Sequence, residues 1–265
     1  MKTIHRLRKH LPKKSLGQHF LRNKEILKRI VDIRNLKDQN IIEIGPGKGA
    51  LTKYILNENP SSLVCIEKDV HLKIYLEKIV KKFPNKIKIF YNDILKLDLE
   101  YFLNEKNTVL IGNLPYNIAT TLIINLLEHT TKYKFMIFMV QKEVADRLTA
   151  EVGSKNYGRI SVLSRVYSKT HKVFDVDADN FHPIPKVDSS VLVIEPRNFE
   201  KIEFNSFKDF LRKAFLHRRK IIRNSLSKFF DNFEEKLKKS NLDLCKRPQN
   251  FSSEEYIRMY SCLFF

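Results

Sequence analysis

The chain has 265 residues, with 43% hydrophobic and 11% aromatic side chains, enough to build a sizeable core, so disorder over the whole length is excluded. Lys and Arg number 49 against 30 Asp and Glu, a formal charge of +19, which points to a polyanionic partner, a nucleic acid or an anionic surface, rather than a small neutral ligand alone. The longest apolar run, Phe135 to Val140, is far short of the ~20 residues of a spanning helix, so no membrane role is expected.

Residues 1–29 carry ten Lys or Arg and a single acid, Glu25; such arms are usually solvated and often lie on nucleic acid. No apolar stretch follows these charges, so the segment does not read as a secretory leader. From Ile26, the spacing of Ile26, Leu27, Ile30 and Val31 marks one helical face. Between Asn40 and about Pro196, strand-like runs then alternate with helical ones. The strands are Asn40 to Gly45, Ser62 to Glu67, Lys86 to Tyr91, Thr108 to Gly112 and Phe135 to Val140; helices are expected at Ala50 to Leu56, Val70 to Val80, Thr120 to Glu128 and Lys142 to Ala150. This alternation predicts an α/β fold with a parallel sheet and crossover helices. Runs starting at Lys172 and Ser190 read as closing strands, and beyond Pro196 only helical patterns remain. The expected organisation is a catalytic domain at 1–197, with a basic arm at 1–24, and a small helical domain at 198–265. Cys65, Cys245 and Cys262 are scattered without C-x-x-C spacing, so neither a disulfide scaffold nor a structural metal is expected, and a cytoplasmic location follows.

Chemistry-bearing residues fall at successive strand ends. Gly45-Pro-Gly-Lys-Gly-Ala50 follows the first strand and opens a helix, where glycines allow close backbone approach and the helix start offers free N–H groups. It lacks the Lys-Ser/Thr ending of a phosphate loop but passes the loose dinucleotide pattern. Glu67 ends the second strand, where a carboxylate can accept both ribose hydroxyls, and Asp93 follows the third, placed to meet an adenine amino group. This set suits a nicotinamide dinucleotide and S-adenosylmethionine equally. The fourth strand separates them, because it runs into Gly112-Asn-Leu-Pro-Tyr116. An adenine amine is a poor nucleophile because its lone pair is conjugated into the ring. Acceptors drawing on its N–H bonds favour the rehybridised form: the Asn113 side chain and the Leu114 carbonyl fit that task, with Pro115 fixing the turn and Tyr116 stacking on a flipped base.

At this point the chain resembles the KsgA-type ribosomal RNA adenine dimethyltransferases, relatives of the Erm methyltransferases. The resemblance is carried by Lys14-Ser-Leu-Gly-Gln-His-Phe-Leu21, Glu43 to Thr52, Gly112-Asn-Leu-Pro-Tyr-Asn117, Gln141 to Ala150, Tyr157-Gly-Arg-Ile-Ser161, Phe181-His-Pro-Ile-Pro-Lys-Val-Asp-Ser189 and Leu211 to Leu226, in the family's order. It implies a Rossmann-like S-adenosylmethionine-dependent fold with a helical C-terminal domain. It also implies cofactor contacts from His19, Leu21, Gly45, Glu67, Asp93 and Asn113, and Phe181 as a second aromatic plane against the target adenine. His19 is a departure, since many relatives carry Asn there. Pro46 and Leu114, where Erm-like sequences often have Ser and Ile, lean toward the KsgA branch. That branch implies dimethylation of two adjacent adenosines in a hairpin near the 3′ end of small-subunit rRNA, with the immature small subunit as partner and a monomer as the state. The rival readings are an Erm-like enzyme acting on large-subunit rRNA, an assembly factor, or a dehydrogenase; the last leaves Asn113 to Tyr116 and the charge without a use.

The segment Arg212 to Arg223 holds six cations and no acid, with Phe215, Ile222 and Leu226 at near-helical spacing. One helix with an outward cationic face is predicted there. Arg218, Arg219, Lys220 and Arg223, with Arg147, make the expected RNA-binding set, acting on phosphates rather than on bases.

Overall fold

The computed structural model describes residues 11–13, 16–103, 107–197 and 202–265; Lys2, Arg6, Arg8, Lys9 and Lys14 of the basic arm lie outside them. Helix α1 (Lys24–Val31) turns Ile26, Leu27, Ile30 and Val31 inward, as their spacing predicts, and starts on the Asn23 side chain, which accepts from the Glu25 and Ile26 amides. Strands and helices then alternate: β2 (Asn40–Ile44), α2 (Ala50–Asn57), β3 (Ser62–Glu67), α3 (Lys73–Lys82), β4 (Ile87–Tyr91), a short α4 (Leu99–Phe102), β5 (Thr108–Asn113), α5 (Ala119–Leu127), β6 (Tyr133–Gln141) and α6 (Lys142–Leu148). Val70 to Leu72 forms a 3₁₀ turn ahead of α3 instead of its first residues, because Asp69 caps the turn by accepting from the His71 amide.

These strands belong to one seven-stranded sheet in the order β4-β3-β2-β5-β6-β9-β7, completed by β7 (Ser168–Val176) and β9 (Ser189–Pro196). Strands β4 to β6 in that order are parallel; β9 enters antiparallel between β6 and β7. Side chains of a strand alternate between faces, and both faces here are covered. Ile41, Val109, Ile111 and Ile137 pack with α1 to α3, while Ile42, Leu110, Met136 and Phe138 pack with α5, α6 and a further helix α7 (Arg159–Tyr167). Such double burial is the reason the parallel strands read as continuous apolar runs. Helix α7 is not foreseen from sequence: its buried residues include Ser161 and Ser164, which weaken the hydrophobic periodicity.

Past Pro196 the chain is helical, with α8 (Phe204–Ala214), α9 (Ile222–Leu226), α10 (Phe233–Leu237) and α11 (Ser253–Phe264). Phe207, Phe210, Tyr256 and Tyr260 share one apolar cluster with Tyr167 and Leu192 of the preceding elements. The single helix expected across Arg212 to Arg223 is not formed. Helix α8 ends at Ala214, a turn closes with the Lys220 amide donating to His217 (2.8 Å), and the Ile222 and Arg223 amides are taken by the Lys246 and Leu244 carbonyls (2.8 and 3.3 Å). Those tertiary partners remove the donors that a continuous helix needs, and the break spreads a run of like charges that one helix would crowd.

A second, two-stranded ribbon pairs β1 (Phe20–Leu21) with β8 (Phe181–His182), Phe20 opposite His182 and Leu21 opposite Phe181. It lays the last part of the basic arm across the carboxyl end of the large sheet. Among the described residues, no helix is long and apolar enough to cross a membrane.

Candidate active site

In the sheet order, β2 lies between β3 and β5, so the chain winds outward through β3 and β4 and returns on the other side of β2 at β5. Ligands of open α/β sheets bind at the carboxyl ends of strands where the winding reverses, and a cavity of about 310 Å³ lies there, within the ordinary size of small-ligand sites, roughly 300–1,000 Å³. It is lined by His19, Leu21, Gly45, Glu67, Asp93, Asn113, Leu114, Pro115 and Tyr116. The residues singled out at four separate strand ends and in the basic arm thus meet on one space.

The glycine loop leaves β2 with Gly45 at φ +68°, a left-handed conformation that suits glycine; its amide donates to the Ile66 carbonyl across the sheet edge (2.9 Å). Glu67, 6% exposed, faces that loop from β3. One of its carboxylate oxygens accepts from the Gly47 amide (3.0 Å) and the other from the Asp69 amide (2.8 Å). Burial nevertheless outweighs these donors and raises its pKa. Each oxygen retains lone-pair capacity for a further donor, so the group is both fixed and receptive, and it suits a ribose. Asp93 caps the next turn through one oxygen, accepting from the Leu95 amide (3.1 Å), and pairs with Lys68 through the other (2.9 Å). The Lys68 hydrogen bond is the main cause holding its pKa below the ordinary carboxylate value.

At the end of β5, the Leu114 amide donates to the Met139 carbonyl (3.0 Å), and the Pro115 carbonyl accepts from Ile118 and Ala119 (both 3.1 Å), so α5 starts directly after the turn. The Asn113 amide nitrogen donates to the His19 carbonyl (2.9 Å), which turns its oxygen the other way. Among the described residues, none donates to that oxygen or to the Leu114 carbonyl. Two acceptors therefore stand side by side with capacity for a ligand's N–H groups. The Tyr116 hydroxyl shares a 2.8 Å hydrogen bond with Ser189 Oγ, and one ring face is stacked against His19 (centroids 5.2 Å apart, planes at 22°). His19 Nδ1 lies 2.8 Å from the Pro183 carbonyl; since a carbonyl only accepts, Nδ1 carries the hydrogen.

The structure places Phe181 apart from the cavity. Its ring is 2% exposed, sits in the apolar cluster with Leu21 and α1, and does not line the cavity. Strand alternation is the reason: in β8, Phe181 turns inward and His182 turns to the cavity. The aromatic plane that stands against Tyr116 here is His19. Three of the expected cationic residues have partners within the chain. The Arg218 guanidinium donates to the Lys155 carbonyl (2.6 Å), Arg223 pairs with Glu234 (3.1 Å), and Arg147 pairs with Glu143 on its own helix. Arg219 and Lys220 are exposed. Sequence reasoning passed over Glu43, buried beneath the loop with its pKa pushed up to about 7 by burial, and Asp69, two residues beyond Glu67. The only signal for Asp69 was its place in the Glu67-Lys-Asp69 run at a strand end.

A dinucleotide-binding sheet of the familiar kind carries six parallel strands in two halves. The antiparallel β9 inserted here, with an acceptor pair and an aromatic ring at the end of β5, defines instead a Rossmann-like S-adenosylmethionine-dependent methyltransferase. The ribosomal RNA adenine dimethylase family matches residues 9–263, and the chain belongs to it. A curated relative from Ehrlichia chaffeensis, ribosomal RNA small subunit methyltransferase A, is 40% identical over 257 residues, covering 95% of this chain and 97% of that one. Among solved structures, a dimethyladenosine transferase from Plasmodium falciparum superposes with a TM-score of 0.77 at 26% identity, covering 91% of this chain and 96% of that one. The 23S rRNA methyltransferase ErmE shares the fold at a TM-score of 0.69 and 22% identity, over 92% and 99% of the two chains. The protein is thus an S-adenosylmethionine-dependent rRNA adenine dimethyltransferase.

The cavity fits that cofactor, with a buried carboxylate whose spare acceptor capacity suits ribose hydroxyls and apolar walls from Leu21, Leu27 and Ile30. Glu67→Ala is expected to weaken S-adenosylhomocysteine binding about ten- to a hundred-fold, the loss of charge-assisted hydrogen bonds to a ribose. Isothermal titration measures it; unchanged affinity would reduce Glu67 to a support of the Gly47 loop.

Proposed function

We propose that the chain methylates N6 of two adjacent adenosines in a hairpin near the 3′ end of small-subunit rRNA, acting as a monomer on the immature subunit in the cytoplasm. The observation that carries the chemistry is the pair of acceptors, Asn113 Oδ1 and the Leu114 carbonyl, that take no donor among the described residues and stand beside the Tyr116 ring. S-adenosylmethionine, when bound, supplies an electrophilic methyl group. Asn113 and Leu114 accept the two N–H bonds of the target amine and draw it toward the tetrahedral form whose lone pair can attack. Tyr116, its ring held by Ser189, stacks on the extruded base and keeps the amine in line. The amine's surplus proton passes to water after transfer, and the neutral product returns for a second methyl. Support for the small subunit as substrate comes from the likeness to the Ehrlichia enzyme over nearly the full length of both chains.

The test is mass spectrometry of rRNA digests from cells lacking the protein. Dimethyladenosine should vanish from the small-subunit rRNA and return on complementation. Loss from the large subunit instead would favour the Erm-like alternative.

On the RNA side, the helical region 198–265 and the basic arm 1–24 supply phosphate contacts on either side of the cavity. Within the cationic turn, Arg218 is committed to the loop at Lys155 and Arg223 to Glu234, so Arg219 and Lys220 are the phosphate contacts expected there. Replacing both by Ala should flatten the log–log salt dependence of RNA affinity by roughly 1.5 units, at about 0.7–0.9 per contact, with cofactor affinity unchanged. An unaltered slope would move the grip to the arm.

A further inference from the structure

We infer that Asp69 is a positioning residue for holding the cofactor, the anchor of a strap that covers the cofactor cavity. The strap is the segment of Lys13 and residues 16–21. It lies within the basic arm, crosses the carboxyl end of the sheet and ends in the β1–β8 ribbon. The inference rests on the site reading above and adds to it what holds the cover shut.

The Asp69 side chain is fully buried, although it sits in a connection, two residues past the end of β3. Its oxygens hold two strap side chains and the turn that it caps: Oδ1 accepts from Lys13 Nζ (2.8 Å) and from the His71 amide (3.2 Å), and Oδ2 from Gln18 Nε2 (2.9 Å). Gln18 closes the ring by accepting from the Lys13 backbone amide through its own oxygen (2.9 Å). A carboxylate taken out of water to this degree is costly unless it is paired and hydrogen-bonded, and Lys13 and Gln18 of the strap supply both. The Asp69 amide in turn donates to Glu67, so the strap's anchor and the ribose-side carboxylate are joined through one backbone group.

The other end of the strap reaches the chemistry. The His19 carbonyl orients the Asn113 amide, the His19 ring covers one face of Tyr116, and Phe20 pairs with His182. Gly17, Gln18, His19, Phe20 and Leu21 all line the cavity. One carboxylate on the cofactor side therefore sets the position of a cover whose far end orients the catalytic amide. Loosening the latch frees the cover, so its first effect is on how long the cofactor stays.

The test uses the full chain. Release of S-adenosylhomocysteine is followed by stopped flow for wild type, Lys13→Ala, Gln18→Ala and Asp69→Asn, alongside steady-state kinetics on small-subunit rRNA. The two strap variants leave Asp69 and its cap of the 3₁₀ turn in place, so they report on the latch even if Asp69 variants fold poorly. Release should quicken about ten-fold in both, as expected for loss of a hydrogen bond to a charged, buried group. KM for S-adenosylmethionine should rise in step, with kcat at saturating cofactor falling by no more than about two-fold. Asp69→Asn, which keeps an acceptor for Gln18 and loses the ion pair, should fall between wild type and Lys13→Ala. Unchanged release and KM in both strap variants would overturn the inference, as would a fall in kcat with KM unchanged. Failure of the wild type to bind S-adenosylhomocysteine would overturn the site reading instead.

Discussion

Asn113→Ala is expected to slow methyl transfer by about 10²–10³-fold at saturating S-adenosylmethionine, the usual loss when one preorganised hydrogen-bonding group at a reacting centre is removed. The size of the effect follows from where the side chain points. Its nitrogen is spent on the His19 carbonyl, and its oxygen, with no donor among the described residues, is the acceptor assigned above to the target amine. The interaction strengthens as that amine turns tetrahedral, so the loss falls on the transition state and appears in turnover. Cofactor affinity should change much less, because Glu67, Asp93 and the glycine loop lie at other strand ends of the same cavity. Single-turnover transfer of labelled methyl to small-subunit rRNA gives the rate, and titration with S-adenosylhomocysteine gives the affinity. A near-wild-type rate would remove Asn113 from the chemistry and leave Leu114 as the acceptor to examine.

Gly112→Ala is expected to break the platform itself. Gly112 lies in β5, one residue before Asn113, and a Cβ added there would stand 2.4 Å from the Ile44 carbonyl oxygen and 3.3 Å from its carbon. Both are backbone atoms of β2, so relief requires parting β2 from β5 at the cavity floor. Overpacking of a rigid site costs about 3 kcal/mol at the upper end, which for a chain of this size lowers the melting temperature by roughly 6–12 °C. Because the two strands carry the Gly45 loop and Asn113, cofactor binding should be lost along with stability. Gly158→Ala is the control: nothing lies within 4 Å of its Cβ position, and its extended φ of −165° is open to any residue. Differential scanning calorimetry with and without S-adenosylhomocysteine separates the two variants. A Gly112→Ala protein with wild-type melting would mean that the strands can part there at little cost.

These two neighbouring residues also mark the boundary between what is readable in the chain and what is not. The alternation of apolar runs with 3.6-period stretches places β2 to β6 and most of their helices, because strands buried on both faces must be apolar throughout. The acids and glycines at their ends are legible for a related reason: in such a sheet all parallel strands finish on one edge, so Gly45, Glu67, Asp93 and Asn113 are brought together by topology alone. Local signals stop being sufficient where the partner is distant. The pairing of Phe20 with His182 joins residues far apart in the chain, and a two-residue strand carries no periodicity, so the strap, its Asp69 anchor and the stacking of His19 on Tyr116 are decided by tertiary structure. The inward turn of Phe181 is decided the same way, since the parity of a two-residue strand depends on which neighbour it pairs with. The cationic stretch from Arg212 to Arg223 has the spacing of a helix, and only the carbonyls of Leu244 and Lys246, arriving from elsewhere, take the amides that would have continued it. Sequence alone therefore determined the parallel strands and the edge on which their acids and glycines meet; long-range hydrogen bonds, which no local pattern encodes, decided which side chains face the cavity and what closes it.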